Sequence, residues 1–234
     1  MNPQAVVDPL QTIRERMRAA CQRSGRDPQR VQLLAVSKGQ SAQAVQAAVA
    51  AGQLAFGENR VMEARDKMAL VAGGPLQWHL IGPLQRNKAR LAASLFQMIH
   101  SVDQLPLAQT LSASMERDRP GVQPLPVLLQ INIGREPQKQ GVLLEEAASL
   151  ARAMAQLPGI ALRGLMAIPP QTPTAEAARP YFRALAQLAQ QLEREQIPGV
   201  CMAELSMGMS HDFEVAIEEG ATWVRVGSAL FGTR

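Results

Sequence analysis

The sequence predicts an α/β fold, a single (β/α)8 TIM-like barrel with a helix ahead of its first strand. Three observations predict it. Short aliphatic runs alternate with longer amphipathic stretches along the chain, and eight such runs can be placed. The 234 residues suit one barrel domain spanning 1–234, with no linker or composition shift to mark a second. Hydrophobic residues make up 47% of the chain but aromatics only 3%, so the core is aliphatic, as in helices packed on a parallel sheet.

In chain order, Leu10, Ile13, Met17 and Cys21 fall on one face of a helix before the first strand. Strands are expected at 33–37, 54–56, 77–81, 98–101, 127–133, 162–166, 203–206 and 223–226. Leu144, Ala147, Ala151, Met154 and Leu157 repeat the helical spacing, as do Phe182, Leu185, Ala189 and Leu192, with Pro180 near that helix start. Gly220 sits where a helix-terminating glycine belongs. Only eight residues follow the last strand, too few for an outer helix, so the N-terminal segment is expected to fill that gap. The proline- and threonine-rich segment 169–174 reads as a loop after the sixth strand.

Bulk properties exclude several classes. The net charge of +4 is mild, and the basic stretch from Arg86 to Arg90 has only Trp78 and Phe96 beside it, a poor platform for nucleic acid. No uninterrupted apolar run approaches the roughly 18 residues of a membrane span, and residues 1–10 lack the pattern of a secretory leader. Cys21 and Cys201 form no motif, which fits a reduced, cytoplasmic protein, and the three histidines lack metal-ligand spacing.

In a barrel, reacting groups gather at the C-terminal ends of the strands. The first strand ends in Ala35-Val36-Ser37-Lys38. A lysine partly desolvated at an apolar mouth becomes a nucleophile toward carbonyls, although a solvated lysine capping the strand fits the same position. The last two strands end in Leu205-Ser206-Met207-Gly208-Met209-Ser210 and Arg225-Val226-Gly227-Ser228. Small residues and hydroxyls there suit a phosphate, although Gly208 and Gly227 also suit simple turns. Alternation points Arg225 into the barrel, where it needs either a ligand or a structural acid as partner. Lysine, phosphate site and inward arginine suit an aldehyde-bearing phosphorylated cofactor, and equally an aldolase-like enzyme for a sugar phosphate.

Six segments in order then carry a resemblance: Ala35 to Lys38, Phe56-Gly57-Glu58-Asn59, Trp78 through Lys88, Gly164 through Pro169, Leu205 to Ser210 and Arg225 through Gly232. The chain resembles the pyridoxal 5′-phosphate (PLP) homeostasis proteins, also called proline synthase co-transcribed or YggS-like proteins. These are related to the N-terminal barrel of alanine racemase, the type III fold of PLP proteins. The resemblance implies a covalent aldimine between PLP and Lys38, the phosphate on Ser206, Gly227 and Ser228 with Met207 and Gly208 nearby, and Arg225 toward the pyridine nitrogen. It implies Asn59 and Met166 as pocket lining, and it matches Lys139 to a second lysine tied to cofactor handling, a position that an exposed loop lysine fills as well. His79 is expected in the core. The chain departs from relatives at Gly39-Gln40 and Gly134-Arg135, both in loops.

The resemblance also implies a monomeric carrier that buffers PLP and delivers it transiently to apoenzymes. A racemase of this fold needs a second base, a tyrosine brought by another domain and subunit, and the sole tyrosine here is Tyr181. An arginine at the ring nitrogen leaves the ring unprotonated and a weaker electron sink. The alternative is a PLP-dependent amino-acid racemase or related enzyme.

Overall fold

A computed structural model describes residues 4–232. Helix α1 (Gln4–Arg23) leads into β1 (Gln32–Val36), α2 (Ala42–Ala50), β2 (Ala55–Glu58), α3 (Val61–Met68), β3 (Gln77–Leu80) and α4 (Ala89–Leu95). The alternation continues through β4 (Met98–Val102), α5 (Leu105–Asp118), β5 (Leu125–Ile131), α6 (Ala147–Met154), β6 (Ile160–Ala167) and α7 (Arg179–Arg194). It ends with β7 (Glu204–Met209), α8 (Phe213–Glu218), β8 (Trp223–Val226) and the short α9 (Ser228–Phe231). The eight strands pair in parallel, in sequence order, into a closed barrel. Closure comes from β8 against β1, with Gln32 opposite Trp223 and Ala35 opposite Val226.

All eight expected strands form, seven of them with shifted ends and β8 with the expected ones. The largest shift is in β7, which runs to Met209 where the sequence reading stopped at Ser206. Gly208 had looked like the start of a loop. In the structure it continues the strand at φ +88°, and a Cβ there would come within 2.5 Å of the Ala216 Cβ on α8. The β7–β8 register shifts between Ser206 and Met209, so the backbone bulges at this glycine.

The outer helices bury the faces that their spacing predicted. Leu10, Ile13, Met17 and Cys21 are buried, as are Phe182, Leu185, Ala189 and Leu192. Fully burying each such aliphatic side chain is worth about 1.5–3 kcal/mol. Helix α1 fills the slot left by the short C-terminal helix and packs on α8, α9 and α2. Arg16 stacks its guanidinium over the Phe213 ring at 4.7 Å and pairs with Glu214. Arg26 donates to the Ile217 and Ala221 carbonyls and so satisfies the C-terminal end of α8.

Inside the barrel, alternation separates two environments. On β8, Val224 and Val226 join the main sheet–helix core, whereas Trp223 packs inward with Leu34 and Ile81. Met98, Leu128 and Met166 form a second interior cluster. The buried polar side chains of the interior, His79, His100, Ser206 and Arg225, form a connected string that leads up to the barrel mouth.

Candidate functional site

A cavity of about 530 Å³ opens at the C-terminal ends of the strands. Lys38, Asn59, Arg225, Gly227 and Ser228, all singled out from the sequence, line it together. Val36, Ile81, Ile168 and Met209 add apolar wall, and Gln40, Ser210 and His211 complete the polar part. Lys38 lies two residues beyond Val36, the last residue of β1, and stands exposed at the rim, more solvated than an amine sunk in an apolar mouth.

Arg225 is 4% exposed. It donates from Nη1 to Ser206 Oγ at 2.8 Å and from Nη2 to the Ala167 carbonyl at 2.9 Å. Among the described residues no carboxylate lies within 4.0 Å of it, so the structural ion pair left open by the sequence does not form. Burial lowers the guanidinium pKa to about 10, and Asp212 at a distance opposes that shift. A buried cation held only by neutral acceptors and open to a cavity favours an anionic or lone-pair-bearing ligand.

Beneath Arg225 the string runs through one serine and two histidines. A guanidinium only donates, so Ser206 Oγ accepts from it, and the same hydroxyl hydrogen-bonds to His100 Nδ1 at 2.8 Å. His100 Nε2 in turn hydrogen-bonds to His79 Nδ1 at 3.0 Å. Burial lowers the His79 pKa to about 3. Burial, then His79 and Arg225, hold His100 well below its ordinary value. Both rings are therefore neutral at physiological pH, and His79 is a core residue, packed edge-on to Trp223 at 4.7 Å between ring centroids.

Four residues singled out from the sequence lie outside the cavity lining. Ser206 is fully buried one layer below, its hydroxyl committed to Arg225 and His100. Met166 packs with Met98 and Leu128 in the interior. Met207 points outward into the main core, and Gly208 abuts α8. The hydroxyl of this segment that reaches the cavity is that of Ser210, which accepts from the Gly227 and Ala229 amides at 3.3 Å each. Ser210 stands in the same sequence segment, and only the length of β7 decides which serine reaches the mouth. Val36 and Ile81 were readable as inward positions at strand ends.

Lys139 lines a neighbouring cavity of about 600 Å³ with the 169–173 loop, and Ile168, Met209 and His211 form the wall shared by the two. Its ammonium donates to the Pro169 carbonyl at 3.1 Å and pairs with Glu136.

Fold and site together define a barrel of the racemase type. The family model for the alanine racemase N-terminal domain matches residues 9–234. An alanine racemase from Corynebacterium glutamicum superposes with a TM-score of 0.66 at 16% identity, covering 97% of this chain and 61% of that one, a likeness of fold alone. Within this class the chain belongs to the pyridoxal phosphate homeostasis protein family. It is 48% identical over 229 residues to the pyridoxal phosphate homeostasis protein of Pseudomonas aeruginosa, covering 98% of this chain and 96% of that one. The Escherichia coli K12 protein of the same description is 44% identical over 229 residues, covering 96% and 95%. PipY of Synechococcus elongatus, solved with PLP bound, superposes with a TM-score of 0.80 at 42% identity, covering 94% of this chain and all 100% of that one.

Proposed function

We propose that this chain binds PLP in the mouth cavity and holds it as a Schiff base on Lys38, acting in PLP homeostasis as a carrier without efficient turnover. The observation that carries the reading is Arg225, a buried guanidinium without a carboxylate that opens on the same cavity as Lys38. PLP supplies an aldehyde, a phosphate dianion and a ring nitrogen, which match the amine, the Ser210–Gly227–Ser228 corner and the arginine. The Lys38 amine would condense with the aldehyde carbon, with loss of one water. With PLP bound, Arg225 would face the pyridine nitrogen and favour its unprotonated form, Asn59 would line the ring, and Ser228 and Ser210 would hold the phosphate. Ser206, Met166, Met207 and Gly208 act from below, by setting Arg225 and the β7 backbone.

Several features favour holding over turnover. The sole tyrosine, Tyr181, is on α7 and packs against the outer core, away from the cavity. The PLP homeostasis relatives support the same reading, and the PLP-bound PipY structure supports PLP as the ligand. We place the protein in the cytoplasm as a monomer of one domain, 1–234, that meets PLP-dependent apoenzymes transiently. Among the described residues no helix is long and apolar enough to cross a membrane.

The test is the visible spectrum of protein mixed with PLP, before and after borohydride, followed by peptide mass analysis. A yellow species trapped on Lys38 is expected. An unmodified Lys38 in PLP-saturated protein refutes the reading, and rapid conversion of any amino acid relative to free PLP restores the racemase-like alternative.

A further inference from the structure

The turn that presents Lys38 is held from behind by a buried ion pair. Glu58 closes β2 with its side chain fully buried, and Lys67 on α3 is only 6% exposed. Lys67 Nζ donates to Glu58 Oε1 at 2.5 Å and to the Ser37 carbonyl at 2.6 Å. Ser37 also donates its hydroxyl to Glu58 Oε1 at 2.7 Å and its amide to the Gly57 carbonyl at 3.0 Å. Beyond Lys38, the Gly39 amide donates to Glu63 Oε1 at 2.5 Å, and the same oxygen accepts from Lys67 at 3.3 Å. The residues on both sides of Lys38 are therefore tied to charged side chains of the β2–α3 segment. None of those side chains lines the cavity around Lys38.

Stability alone is a poor reason for this arrangement. Desolvating two charges offsets most of their attraction, and apolar residues of similar volume stabilise as well or better. Glu58 Oε2 is buried without a hydrogen-bond partner, a further cost. Burial pushes the Glu58 carboxyl up in pKa, while the hydrogen bonds from Lys67 and Ser37 oppose that shift. An apolar pair could not reproduce the bonds to the Ser37 hydroxyl and carbonyl, which set the direction in which the chain leaves β1.

We propose that Lys67, acting through Glu58 and Ser37, is a positioning residue for Lys38, fixing the 37–39 turn so that the amine stands at the cavity mouth before an aldehyde arrives. The inference rests on the reading of Lys38 given above. Preorganisation of this kind raises affinity because the amine is ordered in advance.

The experiment titrates PLP into the wild type, Lys67→Met and the Glu58→Gln/Lys67→Met double variant. Imine absorbance and borohydride-trapped label on Lys38 are read, and thermal unfolding of the same proteins is followed without PLP. Lys67→Met leaves a buried carboxyl unpaired and is expected to lower the melting temperature, whereas the double variant recovers much of that loss. Imine formation is expected to be about tenfold weaker in both. Glu63→Gln, at the solvent edge, keeps the fold and gives a smaller loss. Wild-type affinity in the folded double variant overturns the inference, and so does an affinity that merely tracks melting temperature across the series. A wild type that takes no label on Lys38 overturns the site reading and this inference together, an outcome distinct from either of those.

Discussion

At the residue scale, the site is organised by what each side chain is already bonded to. Lys38 lies at the rim with its backbone fixed and its side chain exposed, so Lys38→Ala should remove the imine absorbance while leaving stability within about 0.5 kcal/mol, as for other exposed positions. An intact imine spectrum in that variant would move the attachment elsewhere, first to Lys139. The two serines of β7 and its following turn give a sharper contrast. Ser210 faces the cavity and receives two amides, so Ser210→Ala should weaken PLP binding by about 1–2 kcal/mol with little change in folding. Ser206 is buried between a guanidinium and an imidazole, so Ser206→Ala should destabilise the barrel itself by about 1–3 kcal/mol. Isothermal titration and urea unfolding on both variants separate the two effects. Equal losses of PLP affinity with unchanged stability in both would contradict the placement.

At the element scale, close backbone approach governs the seam between β5, β6 and β7. Gly164 lies within β6 at φ +156°, and a Cβ there would sit 1.8 Å from the Glu204 carbonyl oxygen. The β5–β6 register shifts just before it, between Val127 and Leu128. Gly164→Ala is therefore expected to cost more than about 3 kcal/mol and to leave little soluble protein, and a urea midpoint near that of the wild type would show that the seam can yield. This seam also marks where the sequence stopped being informative. Aliphatic alternation located every strand, and the strand-end rule brought Lys38, Gly227 and Ser228 to one mouth with the inward Arg225, whereas Asn59 came only from the family resemblance. The strand-end rule could not say how far β7 ran, because a glycine that continues a strand through a bulge looks in sequence like a glycine that ends one. Strand length therefore decides whether Ser206 or Ser210 reaches the mouth, and in the structure it is Ser210. Glu58 and Lys67 were invisible as a pair for another reason. They lie nine residues apart on a strand and a helix, and only the folded β2–α3 unit brings them under Ser37.

At the scale of the whole molecule, barrel closure creates a dry interior, and that interior makes stability depend on pH. His79 and His100 are buried neutral, with the His79 pKa lowered to about 3 and that of His100 held well below 6.5. In the unfolded chain both take up a proton as pH falls through about 6.5, whereas the native barrel does not until far lower. The unfolded state then binds more protons, so stability is complete above pH 6.5 and declines as the solution is acidified. The slope approaches about 1.4 kcal/mol per pH unit for each histidine. Glu63, Glu218 and Glu219, with pKa values lowered from 4.5, add their loss around and below that value, whereas Glu58, raised above 4.5 by burial, takes up its proton in the native barrel before the unfolded chain does and offsets part of the decline. Urea unfolding at pH 7.5, 6.0 and 5.0 and constant ionic strength should show this decline, and His79→Asn should roughly halve its slope by removing one of the two titrating rings. A stability that stays level from pH 7.5 to 5.0 would mean that water reaches the histidine string. The interior would then be wet, and Arg225 would no longer be a desolvated cation awaiting a ligand.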